Sequence, residues 1–371
     1  MQEFDHSALI STVLWSAFAL AVLFGAIARH TQFCTMGAIA DVANMGDWTR
    51  SRMWALAVAV ATAGFNTMVG LGWVQAGNSF YASPRLLWLS ALVGGAMFGF
   101  GMVLASGCGS KTLVRLGGGS LKAAVVFVML AIGAFATMHG IVAAPRVYGL
   151  DRVALQLGGT QDLPSLLTRH GLGSIALWRG VFGLGGGALL AAWSLARRDA
   201  RSARNLLGGI GVGALVVALW WVCGHLGYIA EDPDTLLPTF LGTAGNHIES
   251  FTFVAPLGNT LFWLLMYSDA SNVLNIGIVS VFGVVAGAAL HAAASGRFRW
   301  EGFSGARDTA DHIIGGLLMG IGGVTALGCT IGQGITGVST LSPGSVLALA
   351  GIIGGGVLGV RVQAWRLERA A

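Results

Sequence analysis

The chain alternates between long apolar runs and short segments that are polar or rich in glycine. Nine of the apolar runs reach the length of about 20 residues that a helix needs to cross a hydrocarbon layer about 30 Å thick. They predict an all-α polytopic membrane protein with about nine transmembrane helices. The predicted spans lie near residues 8–28, 53–76, 86–105, 121–144, 174–196, 206–229, 272–294, 310–328 and 344–360.

Four segments between the spans are too polar to face lipid and too apolar to be open loops. They cover residues 31–47, 106–120, 251–268 and 329–342. Irregular backbone at membrane depth is tolerated only where protein buries it or where it lines a cavity. We therefore expect these segments to form re-entrant half-helices around a central pathway.

The chain contains an internal repeat. The glycine pattern of residues 94–108 recurs 221 residues later, at residues 315–329, and both copies end in Gly-Cys. A weaker echo, at an offset of 218 residues, pairs Cys34 with Thr252. Five predicted spans separate the two Gly-Cys motifs, and an odd number reverses the direction of the chain across the membrane. The sequence thus predicts inverted pseudo-symmetric repeats, in which transporters place a site between broken helices near the midplane.

The repeat and the basic residues together define the predicted organisation. One transmembrane transport domain, 1–371, would contain a first repeat (8–145), a connecting segment with one span (146–204), a second repeat (205–360) and a tail (361–371). If the N-terminus lies outside, sixteen of the 21 Lys and Arg residues fall on the inner side and five on the outer side. Positive charge favours the cytoplasmic side, so we predict a periplasmic N-terminus and a cytoplasmic C-terminus.

Composition excludes a soluble domain and constrains the partners. Hydrophobic residues make up 55% of the chain and charged residues 10%, whereas a soluble domain carries about 25% charged residues. The 58 glycines favour closely packed membrane helices. The net charge of +5 does not indicate a nucleic-acid partner, because the basic residues lie in short loops rather than on one basic face.

Two of the four cysteines lie in motifs that favour an anion site. Cys108 lies between Gly107 and Gly109, and Cys329 follows Gly328, each between a span and a segment able to restart as a half-helix. Glycine lets the backbone turn there, and the new helix would point its N–H groups and positive dipole end at a ligand. The alternative is a helix cap with a small buried cysteine. Retention of cysteine in both copies favours the functional interpretation.

Thiols in an anion pathway point to a particular ligand chemistry. A neutral S–H is a weak donor that can solvate an anion without holding it, and burial keeps the thiol protonated. The soft sulfur suits an anion that contains reduced sulfur. Cys34 fits a core position as well as a functional one, and Cys223, inside a span without a repeat counterpart, is interpreted as a packing residue. The wide cysteine spacing indicates neither a disulfide scaffold nor a metal site, and we predict no cofactor.

Charged residues near the Gly-Cys motif have two interpretations. Lys111 and Arg115 would share a helix face, where they could draw an anion onward or anchor the inner membrane surface. The isolated histidines His139, His225 and His291 are interpreted as core or interfacial residues.

Several stretches resemble the signatures of the YeeE/YedE family of sulphur-compound transporters. Residues 94–115 (GGAMFGFGMVLASGCGSKTLVR) are similar to its first signature, and residues 328–334 (GCTIGQG) with 341–345 (LSPGS) are similar to the second. Residues 33–41 (FCTMGAIAD) resemble its N-terminal motif, and residues 251–259 (FTFVAPLGN) its second-half element.

The resemblance implies a bacterial inner-membrane protein, not an enzyme, that takes up thiosulfate for sulfur assimilation. Thiols at the matching positions would relay the ion inward by S–H hydrogen bonds, and a soluble cytoplasmic sulfur-handling protein is an implied partner. We place the predicted pathway at Cys34, Cys108, Cys329, Gly107, Gly109, Gly328, Thr330, Gln333, Lys111, Arg115 and Thr252.

Two alternatives to thiosulfate uptake stay open on the sequence alone. The transported ion could be another sulfur or selenium anion, such as sulfite or selenite. An intramembrane sulfurtransferase could instead form a persulfide on Cys108 or Cys329, although this needs an activated thiolate and the sequence supplies no base beside either residue. Loops 146–173 and 230–250 lie outside the recognised motifs, and the source of energy is equally open.

Overall fold

The computed structural model describes residues 6–232 and 236–369. The described chain is mostly helical with almost no sheet, which confirms the predicted all-α class. Its β-structure consists of two short antiparallel pairs. They are β1 (Arg85–Leu86) with β2 (Leu155–Gln156), and β3 (Tyr228–Ile229) with β4 (Thr239–Phe240).

Fifteen α-helices follow one another within the described residues. They are α1 (His6–Thr31), α2 (Thr35–Met45), α3 (Thr49–Gly70), α4 (Trp88–Leu104), α5 (Gly109–Gly117), α6 (Leu121–Met138), α7 (Ala143–Tyr148), α8 (Leu163–Arg169), α9 (Ile175–Trp178), α10 (Gly186–Leu195), α11 (Ala203–Trp221), α12 (Val254–Leu265), α13 (Ile276–Ala294), α14 (Ala306–Thr325) and α15 (Pro343–Glu368). Turns of π-helix occur at Arg179–Gly185, Val222–Leu226 and Gly332–Gly337.

Most of the predicted spans are helices that can cross a membrane. Eight helical segments of the described chain are long and apolar enough, namely Ser7–Met45, Thr49–Gly70, Trp88–Gly117, Leu121–Met138, Ile175–Leu195, Ala203–Leu226, Ile276–Ala294 and Pro343–Glu368. The ninth predicted span, 310–328, corresponds to α14. Arg307, Asp308 and Asp311 lower the hydropathy of its first turns. Its 20 residues nevertheless extend about 30 Å at 1.5 Å per residue.

Helices α4 and α14 cross through glycines from the two copies of the repeated pattern. A Cβ added to Gly94 would lie 2.7 Å from the carbonyl oxygen of Gly322, and one added to Gly322 would lie 2.6 Å from that of Gly94. Gly101 and Gly315 have the same reciprocal relation, at 2.8 and 2.7 Å. Main chain therefore meets main chain at this crossing, as small residues permit in membrane helices.

The helices around this crossing are paired symmetrically. Helix α4 packs against α15 and α14 against α6, while α1 packs against α13 and α11 against α3. A Cβ on Gly99 would lie 2.1 Å from the oxygen of Ile352, and one on Gly320 would lie 2.3 Å from the oxygen of Leu130. Such reciprocal contacts are those of two intertwined halves related by a pseudo-two-fold axis. The residue boundaries of the repeats stay a prediction.

The helices α6 and α13 connect the two ends of the bundle. At one end, loop 295–305 follows α13 and contacts the start of α6. We call it the arginine end, because Arg29, Arg115 and Arg297 lie there. At the other end, the last residues of α6 and the first of α13 line a cavity. We call this the vestibule end.

The connecting segment 146–173 folds over the vestibule end. The backbone N–H of Leu163 donates to the oxygen of Leu341 at 3.1 Å, which ties this segment to the second Gly-Cys region. Arg146 pairs with Asp151 at 3.4 Å. A loop without recognised motifs thus contributes to the surroundings of the candidate site.

Candidate functional site

Cys34, Cys108 and Cys329 occupy equivalent positions in the local fold, and all three are buried. Cys34 is the N-cap of α2, and Cys108 is the N-cap of α5. Cys329 begins the turn that leads into the π-helical turn Gly332–Gly337. Each thiol therefore lies at the start of a short helical segment, as the re-entrant prediction requires.

The same helix break precedes each of these cysteines. The residue two positions earlier has a left-handed backbone, with φ of 56° at Gln32, 57° at Ser106 and 59° at Leu327. The following residue donates its N–H to the carbonyl five positions earlier, as in a Schellman motif. These bonds join Phe33 to Ala28, Gly107 to Met102 and Gly328 to Gly323. A left-handed conformation is costly for a residue other than glycine, and such strain concentrates at functional sites.

The sulfurs of Cys34 and Cys329 accept hydrogen bonds from backbone N–H groups. The N–H of Gly37 donates to Cys34 Sγ at 3.4 Å, and that of Gly332 donates to Cys329 Sγ at 3.3 Å. The N–H of Phe253, at the start of α12, also faces Cys329 Sγ. Because the sulfur accepts these bonds, its S–H stays available as a donor to a ligand.

The three thiols form a series. Cys108 lies within electrostatic reach of both Cys329 and Cys34. A Cβ on Gly109 would lie 3.8 Å from Cδ1 of Leu130, which places the start of α5 beside the middle of α6. Cys108 therefore lies at about half the depth of the bundle, between the other two thiols.

A cavity of about 530 Å³ opens at the vestibule end, and we call it the vestibule. It reaches Thr252 and Gly328, the latter adjacent to Cys329. A Cβ on Gly332 would lie 2.4 Å from Oγ1 of Thr252, so Thr252 packs directly against the turn after Cys329. The polar residues that line the vestibule include Tyr81, His139, Arg146, His247, Glu249, Asn259 and Asn275.

A second cavity, of about 420 Å³, lies between α2, α3 and α15, and we call it the groove. It is lined by Thr35, the residue after Cys34, and by Ser51 and Arg361. The three thiols therefore lie between the vestibule and the groove.

Two hydroxyl groups beside the thiols are buried without a hydrogen-bond partner in the described part of the chain. They are Oγ1 of Thr35 and Oγ1 of Thr330, and each residue directly follows a cysteine. Buried hydroxyls nearly always have a partner, so an unpartnered one indicates a place where a ligand or water binds. Gln333 has a structural contact, since its Nε2 donates to the oxygen of Ala326 at 2.6 Å.

The two basic residues after Cys108 differ in position. Lys111 lies within electrostatic reach of Cys34, close to the thiol series. Arg115 instead donates to the oxygen of Ser106 at 3.3 Å and pairs with Glu301 at 3.2 Å. Its contacts hold α5 at the arginine end, which favours the anchoring interpretation for Arg115.

The vestibule contains residues that sequence reasoning missed. His139, interpreted as a core or interfacial residue, lines the vestibule together with Arg146 and Glu249. The sequence offered one signal for Glu249, because it lies two residues before the element 251–259, which resembles a family motif. Cys223 is buried and accepts the N–H of Glu249 at 3.2 Å, so it packs behind the vestibule wall.

Comparison with known proteins shows similarity to transporters of sulfur compounds. The model of a family described as Sulphur transport matches residues 30–358. The chain is 27% identical over 368 residues to the thiosulfate transporter TsuA of Spirochaeta thermophila, which covers 96% of this chain and 100% of that protein. It is 24% identical over 333 residues to the TsuA of Escherichia coli, which covers 87% of both chains.

A more limited match is to the probable transporter YedE of Escherichia coli, which is 29% identical over 114 residues, or 29% of this chain and 26% of that protein. The matched relatives are named as transporters, which agrees with the prediction that this protein is not an enzyme. The family model covers most of the chain, and its range includes all three cysteines of the series. The chain therefore belongs to the Sulphur transport family, the YeeE/YedE family that its motifs resemble.

Proposed function

We propose that this protein imports thiosulfate across the bacterial inner membrane for sulfur assimilation. The observation that carries the proposal is the series of three buried thiols, each at the start of a half-helix, between the vestibule and the groove. The printed names of the two relatives that match along most of the chain support thiosulfate as the transported ion.

The local geometry accounts for transfer of an anion without tight binding. The positive ends of α2, α5 and the Gly332–Gly337 turn offset the charge of an ion that has lost its water. The neutral thiols donate weak S–H bonds, so the ion passes from Cys329 to Cys108 and then to Cys34. The polarizable terminal sulfur of thiosulfate matches these soft donors.

The proposed direction follows from the basic residues. A periplasmic N-terminus places the vestibule outside and the arginine end in the cytoplasm, in agreement with the excess of Lys and Arg there. The ion then moves from the vestibule toward the groove. A soluble sulfur-handling protein would receive the sulfur at the arginine end.

Purified protein in liposomes is expected to take up thiosulfate labelled at its terminal sulfur. Uptake should saturate, and unlabelled thiosulfate should compete far better than sulfate, in which an oxygen replaces that sulfur. Sulfite and selenite, which also lack the terminal sulfur, should compete weakly because the soft donors lose their matched partner.

Liposomes without protein serve as the control for leakage. Equal competition by sulfite or selenite would contradict the assignment to thiosulfate, and an absence of uptake by inserted protein would contradict self-sufficient transport. Mass spectrometry of the protein after uptake tests the sulfurtransferase alternative, which predicts one added sulfur on Cys108 or Cys329. The near neighbour of Cys108 Sγ is the Ser110 hydroxyl, at 3.3 Å, which is a poor base for generating a thiolate.

A further inference from the structure

The vestibule contains a carboxyl group although it leads to an anion pathway. Glu249 lines the cavity, and its Oε1 is shielded from solvent with no hydrogen-bond partner among the described residues. The side chain does receive the backbone N–H of Ala244. A carboxylate that loses water without a full set of partners is unfavourable, so the site favours the protonated form.

The other charged and titratable groups around Glu249 do not neutralise it. Arg146, in α7, is paired with Asp151 at 3.4 Å, so its charge is already balanced. Tyr81, from loop 71–87, lies within electrostatic reach of both Glu249 and Cys329. Two histidines are also near, namely His139 at the end of α6 and His247 in the loop that contains Glu249. The last group is Cys223, whose sulfur accepts the N–H of Glu249.

Burial raises the pKa of Glu249 from 4.5 to about 7. Burial also raises the pKa of Tyr81 well above its usual range, so its hydroxyl stays neutral and can donate to an anion. Below pH 7 the Glu249 side chain is mostly neutral. Above pH 7 it is mostly ionised and repels an anion in the same cavity.

We infer that Glu249 binds a proton when thiosulfate occupies the vestibule, so that the anion and the proton are taken up at this site together. The proton comes from the water at the vestibule end and joins a carboxylate oxygen of Glu249, which removes one negative charge beside the ion. This inference rests on the proposed function and extends it to the coupling ion. Tyr81, which lies within electrostatic reach of both Glu249 and Cys329, links the proton site to the first thiol of the series.

The pH dependence of uptake tests this inference in liposomes buffered equally on both sides. Below saturation, uptake by the wild type should be about tenfold faster at pH 6 than at pH 8, because the protonated fraction of a group with a pKa of about 7 falls from about nine-tenths to about one-tenth. Thiosulfate carries two charges throughout this range, so the substrate adds no pH dependence. Glu249→Gln, a neutral isostere, should transport at a rate that is high and unchanged between pH 6 and pH 8.

A variant with both His139→Gln and His247→Gln separates the carboxyl group from the histidines. It should keep the tenfold pH dependence. The inference would be overturned if the double histidine variant lost the pH dependence of uptake and Glu249→Gln kept it. Equal wild-type uptake at pH 6 and pH 8 would overturn it while leaving thiosulfate transport intact, whereas no wild-type uptake at either pH would contradict the proposed function itself.

Proton uptake by the solubilised wild type gives a second test that needs no variant. Thiosulfate added to the protein in weakly buffered solution at pH 7.5, a value chosen about half a unit above the pKa of Glu249, should raise the pH reported by an indicator dye. Sulfate at the same concentration controls for ionic strength. Binding of thiosulfate without any pH change would overturn the inference.

Discussion

Replacement of Cys108 or Cys329 with alanine is expected to reduce thiosulfate uptake by roughly 10- to 100-fold while the protein still folds and inserts. Each change removes one S–H donor to the ion, and a hydrogen bond to a charged group contributes about 1.5–3 kcal/mol. Both residues are buried between the vestibule and the groove, so bulk solvent does not take the place of the lost donor. Uptake of thiosulfate labelled at its terminal sulfur, at equal amounts of inserted protein, measures the effect.

Cys223→Ala is the matched control for these variants. Cys223 is equally buried, but it lies behind the vestibule wall and accepts the N–H of Glu249 rather than belonging to the series. We expect it to retain most of the wild-type uptake. Wild-type rates in both Cys108→Ala and Cys329→Ala would contradict the thiol relay, and an equal loss in all three variants would indicate a general packing defect.

Gly355→Ala, in α15, is expected to lower stability, whereas the neighbouring change Gly354→Ala is expected to leave it unchanged or raise it slightly. A Cβ on Gly355 would lie 2.0 Å from the oxygen of Ala96 in α4, whereas a Cβ on Gly354 meets nothing within 4 Å. Overpacking against main chain costs about 1–3 kcal/mol. Alanine at the open position removes the conformational freedom of glycine and stabilises the helix by up to about 1 kcal/mol.

The midpoint of thermal unfolding in detergent measures both changes. Gly355→Ala should unfold at a clearly lower temperature than the wild type, and Gly354→Ala at the same or a slightly higher temperature. A similar midpoint for the two variants would mean that α4 and α15 are not in the close contact described here.

The sequence was sufficient to predict the helices and the half-helix positions, because both depend on local signals. Long apolar runs identify a span wherever few charges interrupt them. At α14 this signal is weaker, because Arg307 and Asp308 precede the predicted span 310–328 and Asp311 lies within it. The Gly-Cys motifs were recognisable because glycine precedes the cysteine at both breaks, although the left-handed residues themselves are Ser106 and Leu327. The symmetric crossing of α4 and α14 could be anticipated from glycines repeated at one offset.

The vestibule could not be predicted because its walls come from distant parts of the chain. His139 follows α6, Arg146 lies in α7, and Glu249 lies about 100 residues later in a loop. None of the three lies in a periodic pattern or in a motif that links it to the other two in the sequence. Segment 146–173 also folds over the second Gly-Cys region at this end, through Leu163 and Leu341.

The glycine crossing of α4 and α14 has a consequence for the speed of transport. Transporters that rock one half of the bundle against the other require an interface that can slide. At this crossing, Gly94 and Gly322 bring the main chain of each helix into direct contact with the main chain of the other. We therefore expect the two halves to act as one frame, and we expect the ion to cross it by local side-chain movements. Domain motions take microseconds to milliseconds, so we expect turnover to be faster than in a transporter that rocks one half against the other.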